Sequence, residues 1–266
     1  MRREVSMFAG TALLVYKQMW VNPIIFSWHP FVEGSSSYKS DGWRRSHELW
    51  LHAEQILSKS TTDFERADSI MDLRRAVDRR VRLLDKRYSF RRIPIKEKPS
   101  DVLGLLEFVG VVRPQMLQKL IDIRNAVEHE DAEPPDHETC EVFLEFTWYF
   151  LKSTDFITQR VVDRISFTHN EDGCWAELGI SPPEGWLPLL RGWIPSALIS
   201  DEPRDDWPLV KMKRLVTRAE ELVRLQEEES DDTGLGNNIC DRFFEGDVRG
   251  SNTALKKLYK LYFEMV

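Results

Sequence analysis

Arginine and histidine recur at close spacing three times in this chain, as Arg45 and His52, Arg124 and His129, and Arg164 and His169. The pairing has a chemical use. Histidine titrates near neutral pH and suits proton transfer, while arginine stays charged and its planar fork matches phosphate oxygens bidentately. RNA brings its own nucleophile: the 2′-hydroxyl attacks the adjacent phosphorus once a base takes its proton and a cation stabilises the charge growing on the phosphoryl oxygens. Such a scheme calls for no metal and no cofactor. Context singles out the second pair, because Arg124 and Asn125 lie near the C-terminal end of a predicted two-faced helix and His129 falls where that helix meets a proline-rich loop. Asn125 and His129 are one turn apart on a helix face, so Asn125 can orient the imidazole or hold a phosphate oxygen. Arg45 and His52 sit inside a predicted helix beside aromatic core residues, and Arg164 and His169 flank a β-prone Ile-Ser-Phe run. The plainer reading of the second pair is an ion pair between Arg124 and Glu128, with His129 a polar residue at a helix end that favours cations anyway. Glu128 and Glu130 also count against phosphate binding there, since carboxylates repel it and hold a histidine protonated.

A second feature is charge. Between positions 74 and 98 the chain carries eleven Lys or Arg, against only Asp78, Asp85 and Glu97. The whole protein has a net charge of -7, so a local excess of this size is a candidate footprint for an RNA backbone, centred on Arg74, Arg75, Arg79, Arg80, Arg82, Lys86 and Arg87. A solvated helix face paired with the acidic stretches at 201–206 and 227–232 is the competing explanation.

Other chemistries lack their residues. His47-Glu48-Leu49-Trp50-Leu51-His52 has one residue too many for H-E-x-x-H, and there is no phosphate-binding G-x-x-x-x-G-K-[ST] loop, no G-x-G-x-x-G and no G-x-S-x-G. His129 and His137 beside Asp131 and Asp136 make an acidic loop of the kind that is usually solvated rather than metal-bound. Cys140, Cys174 and Cys240 are odd in number, far apart and in no C-x-x-C pair, which predicts neither a disulfide nor a thiolate metal site and suits a reducing cytoplasm. The apolar run from Phe8 to Tyr16 is well short of a membrane span, and Glu4 interrupts what would be the basic start of a signal peptide. A cytoplasmic protein without membrane contact is expected.

The elements that must position these groups read as mostly helical. Residues 1–40 mix apolar and aromatic residues with prolines and form an N-terminal packing segment, either one helix or two short strands. Trp50, Ala53 and Leu57 predict a first helix over 41–59; Ile70, Leu73, Val77, Val81, Leu84 and Tyr88 predict a longer second one from Asp63 to the Pro94 break. A short helix is expected at 102–109, another from Pro114, with Met116, Leu120, Ile123 and Val127 on its apolar stripe and Gln118, Asp122, Asn125 and His129 on its polar one, and a fifth after the Asp136 cap. Residues 165–199 predict a small sheet, 212–229 a helix, and 253–263 a last amphipathic helix.

With these elements laid out, Leu120-Ile121-Asp122-Ile123-Arg124-Asn125-Ala126-Val127-Glu128-His129 resembles the R-x4-H signature of the HEPN (higher eukaryotes and prokaryotes nucleotide-binding) family. The resemblance spans residues 41–158 and implies an HEPN-like helical bundle there; with the small β-containing subdomain and C-terminal helical extension read from the residues over 159–266, a mainly α protein is expected. It implies a metal-independent endoribonuclease acting through Arg124, Asn125 and His129, working as a toxin or antiviral defence effector. It further implies a homodimer that places two motifs around one scissile phosphate, and leaves room for a neutralising or sensor partner. The rival expectation is a non-catalytic helical module that binds RNA, a nucleotide or a partner protein.

Overall fold

The computed structural model describes residues 17–38, 41–113, 115–129, 132–169, 173–217, 219–220 and 240–266; the side chains at positions 41, 116, 124, 128 and 129 lie outside this set. Helix limits follow local capping chemistry. Helix α1 runs Arg44–Leu57, and α2 runs Asp63–Tyr88 behind a capping box in which the Thr62 hydroxyl accepts from the Glu65 N–H and the Glu65 carboxylate accepts from the Thr62 N–H. Donation from the Thr61 N–H, and then from the Thr62 hydroxyl and N–H, holds the Glu65 carboxyl below its ordinary pKa. Asp101 and Asp136 cap α3 (Val102–Phe108) and α5 (His137–Gln159), each by accepting from a first-turn N–H. Between them lies α4 (Gln115–His129); Pro114, expected to open it, is outside the described residues.

These helices match the periodicity read from the sequence, but the chain is not a mainly α helical bundle with a small β attachment. It is mixed α and β, built on an eight-stranded antiparallel sheet: β1 Gln18–Val21, β2 His29–Ser37, β3 Arg160–Thr168, β4 Trp175–Ser181, β5 Gly185–Ile194, β6 Ile199–Ser200, β7 Leu209–Thr217 and β8 Arg242–Arg249. Strand order is β2-β3-β4-β5-β8-β7-β1-β6. The N-terminal segment is thus part of the sheet in its described portion, with β1 and β2 joined by a 3-10 turn at Pro23–Ser27 and placed far apart in the strand order. Residues 212–217, expected to begin a helix, belong to β7; the rest of that expected helix, apart from positions 219 and 220, is outside the described residues. The last helix, α6 (Asn252–Met265), is capped by Ser251 and packs on the sheet through Leu255, Leu258, Tyr259 and Tyr262.

All of α1 to α5 lies between two neighbouring strands. Ser37 of β2 faces Arg160 of β3, and the Tyr38 N–H donates to the Gln159 carbonyl at 2.9 Å, so the helical excursion leaves the sheet and returns at one point. Two apolar clusters result. One, formed by Ala53, Leu57, Ile70, Leu73, Val77, Leu117, Leu120, Phe143 and Leu151 among others, belongs to the helices. The other centres on Trp186 and joins the end of α2, α3 and α6 to one sheet face. On several strands the register lines up a polar row, with Ser166 opposite Glu177, Glu177 opposite Arg191, and Arg191 opposite Glu245. Buried Glu177 takes two hydrogen bonds of 2.9 Å from Arg191. That contact raises the Arg191 pKa.

Cys174 and Cys240 form a disulfide with their Cα atoms 5.4 Å apart, contrary to the expectation of free thiols. They sit at corresponding ends of β4 and β8, the two neighbours of β5, and sheet register rather than sequence spacing brings them together. Cys140 is buried in the helical core, where desolvation raises its thiol pKa to about 11. The disulfide closes a 66-residue separation, for which chain entropy gives up to about 4 kcal/mol. Urea denaturation with and without dithiothreitol should therefore show a lower midpoint on reduction, and Cys174→Ser should match the reduced wild type. Identical midpoints in all three would mean the bond constrains nothing.

Candidate nucleic-acid interface

Helix α2 carries its cations on more than one face, and the structure separates them. Arg75, Arg79, Arg82 and Lys86 recur at steps of four, three and four, which puts them in one row, and all four are exposed. Across from this row, Arg45 and Leu49 of α1 complete a groove of about 620 Å³. Among the described residues, Arg79, Arg82 and Lys86 make no ion pair or hydrogen bond. The remaining three members of the expected footprint are used otherwise. Arg74 is paired with Asp78. Arg87 is half-buried, lies 3.8 Å over the Tyr38 ring, and is pushed below its ordinary pKa by desolvation.

Arg80 corrects the sequence reading most sharply, because it is fully buried and unavailable to a ligand. Its guanidinium donates to the Leu151 carbonyl at 3.0 Å, to the Thr154 hydroxyl at 3.1 Å and to Asp155 at 2.8 Å, with the Trp43 carbonyl at 3.5 Å. Burial lowers its pKa, and the Asp155 carboxylate works against that shift. Asp155 in turn lies 2.9 Å from His47 Nε2.

The groove continues into a second hollow of about 440 Å³ that shares Arg45, Leu49 and Arg75 with the first. Here His52 Nδ1 lies 2.6 Å from Asp72 Oδ2, and Arg75 donates to Asp72 Oδ1 at 3.0 Å. Asp72 is buried, whereas the His52 side chain is 62% exposed. Arg45 pairs with Glu48 at 2.8 Å on the rim. So the first arginine–histidine spacing, set aside above as part of a helix core, lines a cationic groove. The signal was present: Arg45, Leu49 and His52 follow at steps of four and three, about two turns along one helix face. What the sequence could not supply was the face of α2 opposite. His47 and His52 engage different carboxylates, Asp155 and Asp72, so they share no site.

The R-x4-H segment closes α4, which is helical through His129, and Asn125 is exposed on it. The side chains of Arg124 and His129, and Glu128 of the competing ion pair, are outside the described residues. Leu117 and Leu120 bury the opposite face in the helical core, and on the polar stripe Gln118 donates to Asp122 at 2.9 Å. The segment after α4 is tied to the other two helices, with His137 Nε2 at 3.1 Å from the Leu57 carbonyl and Arg66 donating to the Pro135 carbonyl at 3.0 Å. Since Arg66 and Arg75 are nine residues apart on α2, this tether sits roughly 14 Å along the helix from the start of the cationic row. Arg164 and His169 are separated along extended chain by roughly 16 Å and cannot converge on one phosphate.

Among the described residues no helix is long and apolar enough to cross a membrane. Comparison of the chain with models of protein families, with characterised proteins and with solved structures finds no match in any of the three.

The two kinds of arginine on α2 should separate in a denaturation experiment. Arg80→Ala leaves Asp155 without its strongest partner and should cost about 3–5 kcal/mol. Arg82→Gln removes an exposed, unpaired cation and should change stability by no more than about 0.5 kcal/mol. Equal effects would contradict the division between clamp and groove.

Proposed function

We propose that this protein is a metal-independent endoribonuclease that seats the RNA backbone on the α1–α2 groove. The observation that carries the reading is the row Arg75, Arg79, Arg82 and Lys86 facing Arg45 across an open groove in a protein of net charge -7. Exposed cations in one register repel each other and add nothing to the helix; a polyanion with regularly spaced phosphates relieves that repulsion and releases its own counterions. The groove is also of the size that takes a small ligand such as a nucleotide. Cleavage follows from the resemblance of the α4 segment to the HEPN signature: Arg124 and Asn125 would hold the phosphate and His129 would move the proton, giving a 2′,3′-cyclic phosphate and a 5′-hydroxyl.

A toxin or antiviral defence effector is the cellular role that accords with this chemistry, with RNA as substrate and a neutralising or sensor protein as regulator. The proposed compartment is the cytoplasm, where RNA is abundant. Thiols are kept largely reduced there, so the sheet would have to function with or without the Cys174–Cys240 bond.

Binding and cleavage are tested apart. Arg79→Gln, Arg82→Gln and Lys86→Gln together should weaken binding of single-stranded RNA and flatten its salt dependence, with the log–log slope falling by roughly 0.7 for each phosphate of the single strand that is no longer neutralised. Wild-type cleavage should persist in chelator and disappear in His129→Ala. An unchanged salt slope would remove RNA from the groove. RNA left intact by the wild type, with binding retained, would leave a helical module that binds RNA without cutting it.

The proposed active unit is a homodimer with its two-fold axis near α4, since one Arg, Asn and His per chain are few for a two-ended proton transfer. Mixing Arg124→Ala with His129→Ala chains should restore part of the activity. A monomer by light scattering at micromolar concentration that cleaves fully would exclude the shared site.

A further inference from the structure

We propose that His52 is itself a catalytic residue of the α1–α2 groove, taking the 2′-hydroxyl proton of the bound RNA, with Asp72 as the positioning residue that fixes its ring. The proposal rests on the seating of RNA in the groove read above and is the alternative to proton transfer by His129: on it, His129→Ala keeps wild-type cleavage.

The geometry of the pair is directional. An ionised carboxylate only accepts, so the 2.6 Å contact between His52 Nδ1 and Asp72 Oδ2 puts a hydrogen on Nδ1, and in the neutral imidazole Nε2 is then the lone-pair acceptor. No described residue bonds Nε2, and the side chain lines the hollow while staying largely exposed. Asp72 cannot turn away, because it is buried and its other oxygen is held by Arg75 at 3.0 Å. A buried carboxylate fixing one ring nitrogen while the other faces outward is the arrangement that sets the tautomer of a general base. Structural cross-linking does not require it: Arg75 already neutralises Asp72 on the same helix, and an imidazole this exposed adds little to α1–α2 packing.

A phosphate carrier stands beside the base. Arg75 spends one N–H on Asp72 and is itself 68% exposed, leaving the rest of its fork for a phosphate. Arg45, one end of the α1 face that carries His52, is held by Glu48 in an exposed pair of the kind a phosphate displaces at small cost. Glu48 is the one adverse carboxylate lining this hollow besides Asp72; Gln55 is neutral and can donate. Beyond Arg75 the row of Arg79, Arg82 and Lys86 continues along the groove, so a strand lying on it brings a phosphate over Arg75 and the neighbouring ribose toward His52.

The step balances within this set. Nε2 of His52 takes the 2′-hydroxyl proton, the 2′-oxygen bonds to phosphorus, the bond from phosphorus to the 5′-oxygen breaks, and solvent water on the open side protonates that oxygen. The products are a 2′,3′-cyclic phosphate and a 5′-hydroxyl, and the imidazolium then returns its proton to solvent.

The test uses the full chain, mixed-sequence single-stranded RNA for cleavage, and the all-2′-deoxy oligonucleotide, which cannot cyclise, for binding. His52→Ala should lower cleavage by roughly 100-fold or more while deoxy-oligonucleotide binding and the thermal midpoint stay at wild-type values. Added imidazole should restore part of the rate, an effect that a loss of structure would not produce. Asp72→Asn should slow the wild type but have no further effect in the His52→Ala background, the non-additivity expected of groups that act as a unit. If His52→Ala cleaves normally while His129→Ala does not, the inference falls and the ribonuclease reading stands. Absence of cleavage by the wild type overturns both.

Discussion

A single guanidinium holds the helical half in register. Arg80 has no exposed surface, and its nitrogens reach the Trp43 carbonyl ahead of α1 and three groups on α5, so the helix that carries it is fixed against both neighbours at once. Such a group is expensive to bury and hard to replace: desolvation opposes its charge, and the acceptors around its two terminal nitrogens, Asp155 foremost, offset that cost while Nε has no partner among the described residues. Because Arg80 points inward with Ala76, Val77 and Leu84, the far side of α2 is turned outward. Arg75, Arg79, Arg82 and Lys86 form their row opposite α1 for this reason, and His52 meets Asp72 at the separation this packing sets. Buried specificity and exposed charge on α2 are therefore two sides of one constraint.

The other half depends on aromatic side chains with satisfied polar tips. Trp186 lies among Tyr88, Phe90, Tyr259, Tyr262 and Phe263, and donates from Nε1 to the Tyr88 carbonyl at 2.8 Å. The hydroxyls of Tyr88, Tyr259 and Tyr262 donate to the carbonyls of Arg160, Trp186 and Val162. Each ring thus supplies apolar area while closing a backbone acceptor that would otherwise be buried unpaired. Burial raises the pKa of all three phenols above the usual tyrosine range. Through these contacts the last turn of α2 and the whole of α6 share one core with the sheet.

The helices were legible because their signals are local. Thr62 with Glu65, Asp101 and Asp136 mark starts that need only three residues of context, and Ile70, Leu73, Val77 and Leu84 repeat with the helical period. The sheet was legible only over 165–199, because the signals for its other strands are pairings across the whole chain. Strand β2 is exposed along nearly its full length, so it lacks the alternation that marks a half-buried strand. In β7, Leu209-Val210-Lys211-Met212-Lys213-Arg214-Leu215-Val216 places apolar residues at helical spacing as well, and only its bonds to β1 and β8 decide the matter. The groove was legible by halves. Net charge located α2, but composition cannot tell Arg80 from Arg79, one residue and about 100° away, and nothing within α1 names Asp72 as the partner of His52.

The junction of β2 with β3 also bears on how the chain folds. Pairing Ser37 with Arg160 directly from a disordered chain would close a very long loop and carry the full entropic penalty of doing so. Within the excursion α1 and α2 are adjacent in the chain, joined by a short connection and packed on each other, and structure of that local kind forms early. Once α5 has docked on α1 and α2, the Tyr38 N–H and the Gln159 carbonyl are within bonding distance. The effective loop that β2 and β3 must then close is that of a tight hairpin. The helical excursion has the geometry of a folded turn between β2 and β3, and it is topologically the longest insertion in the sheet.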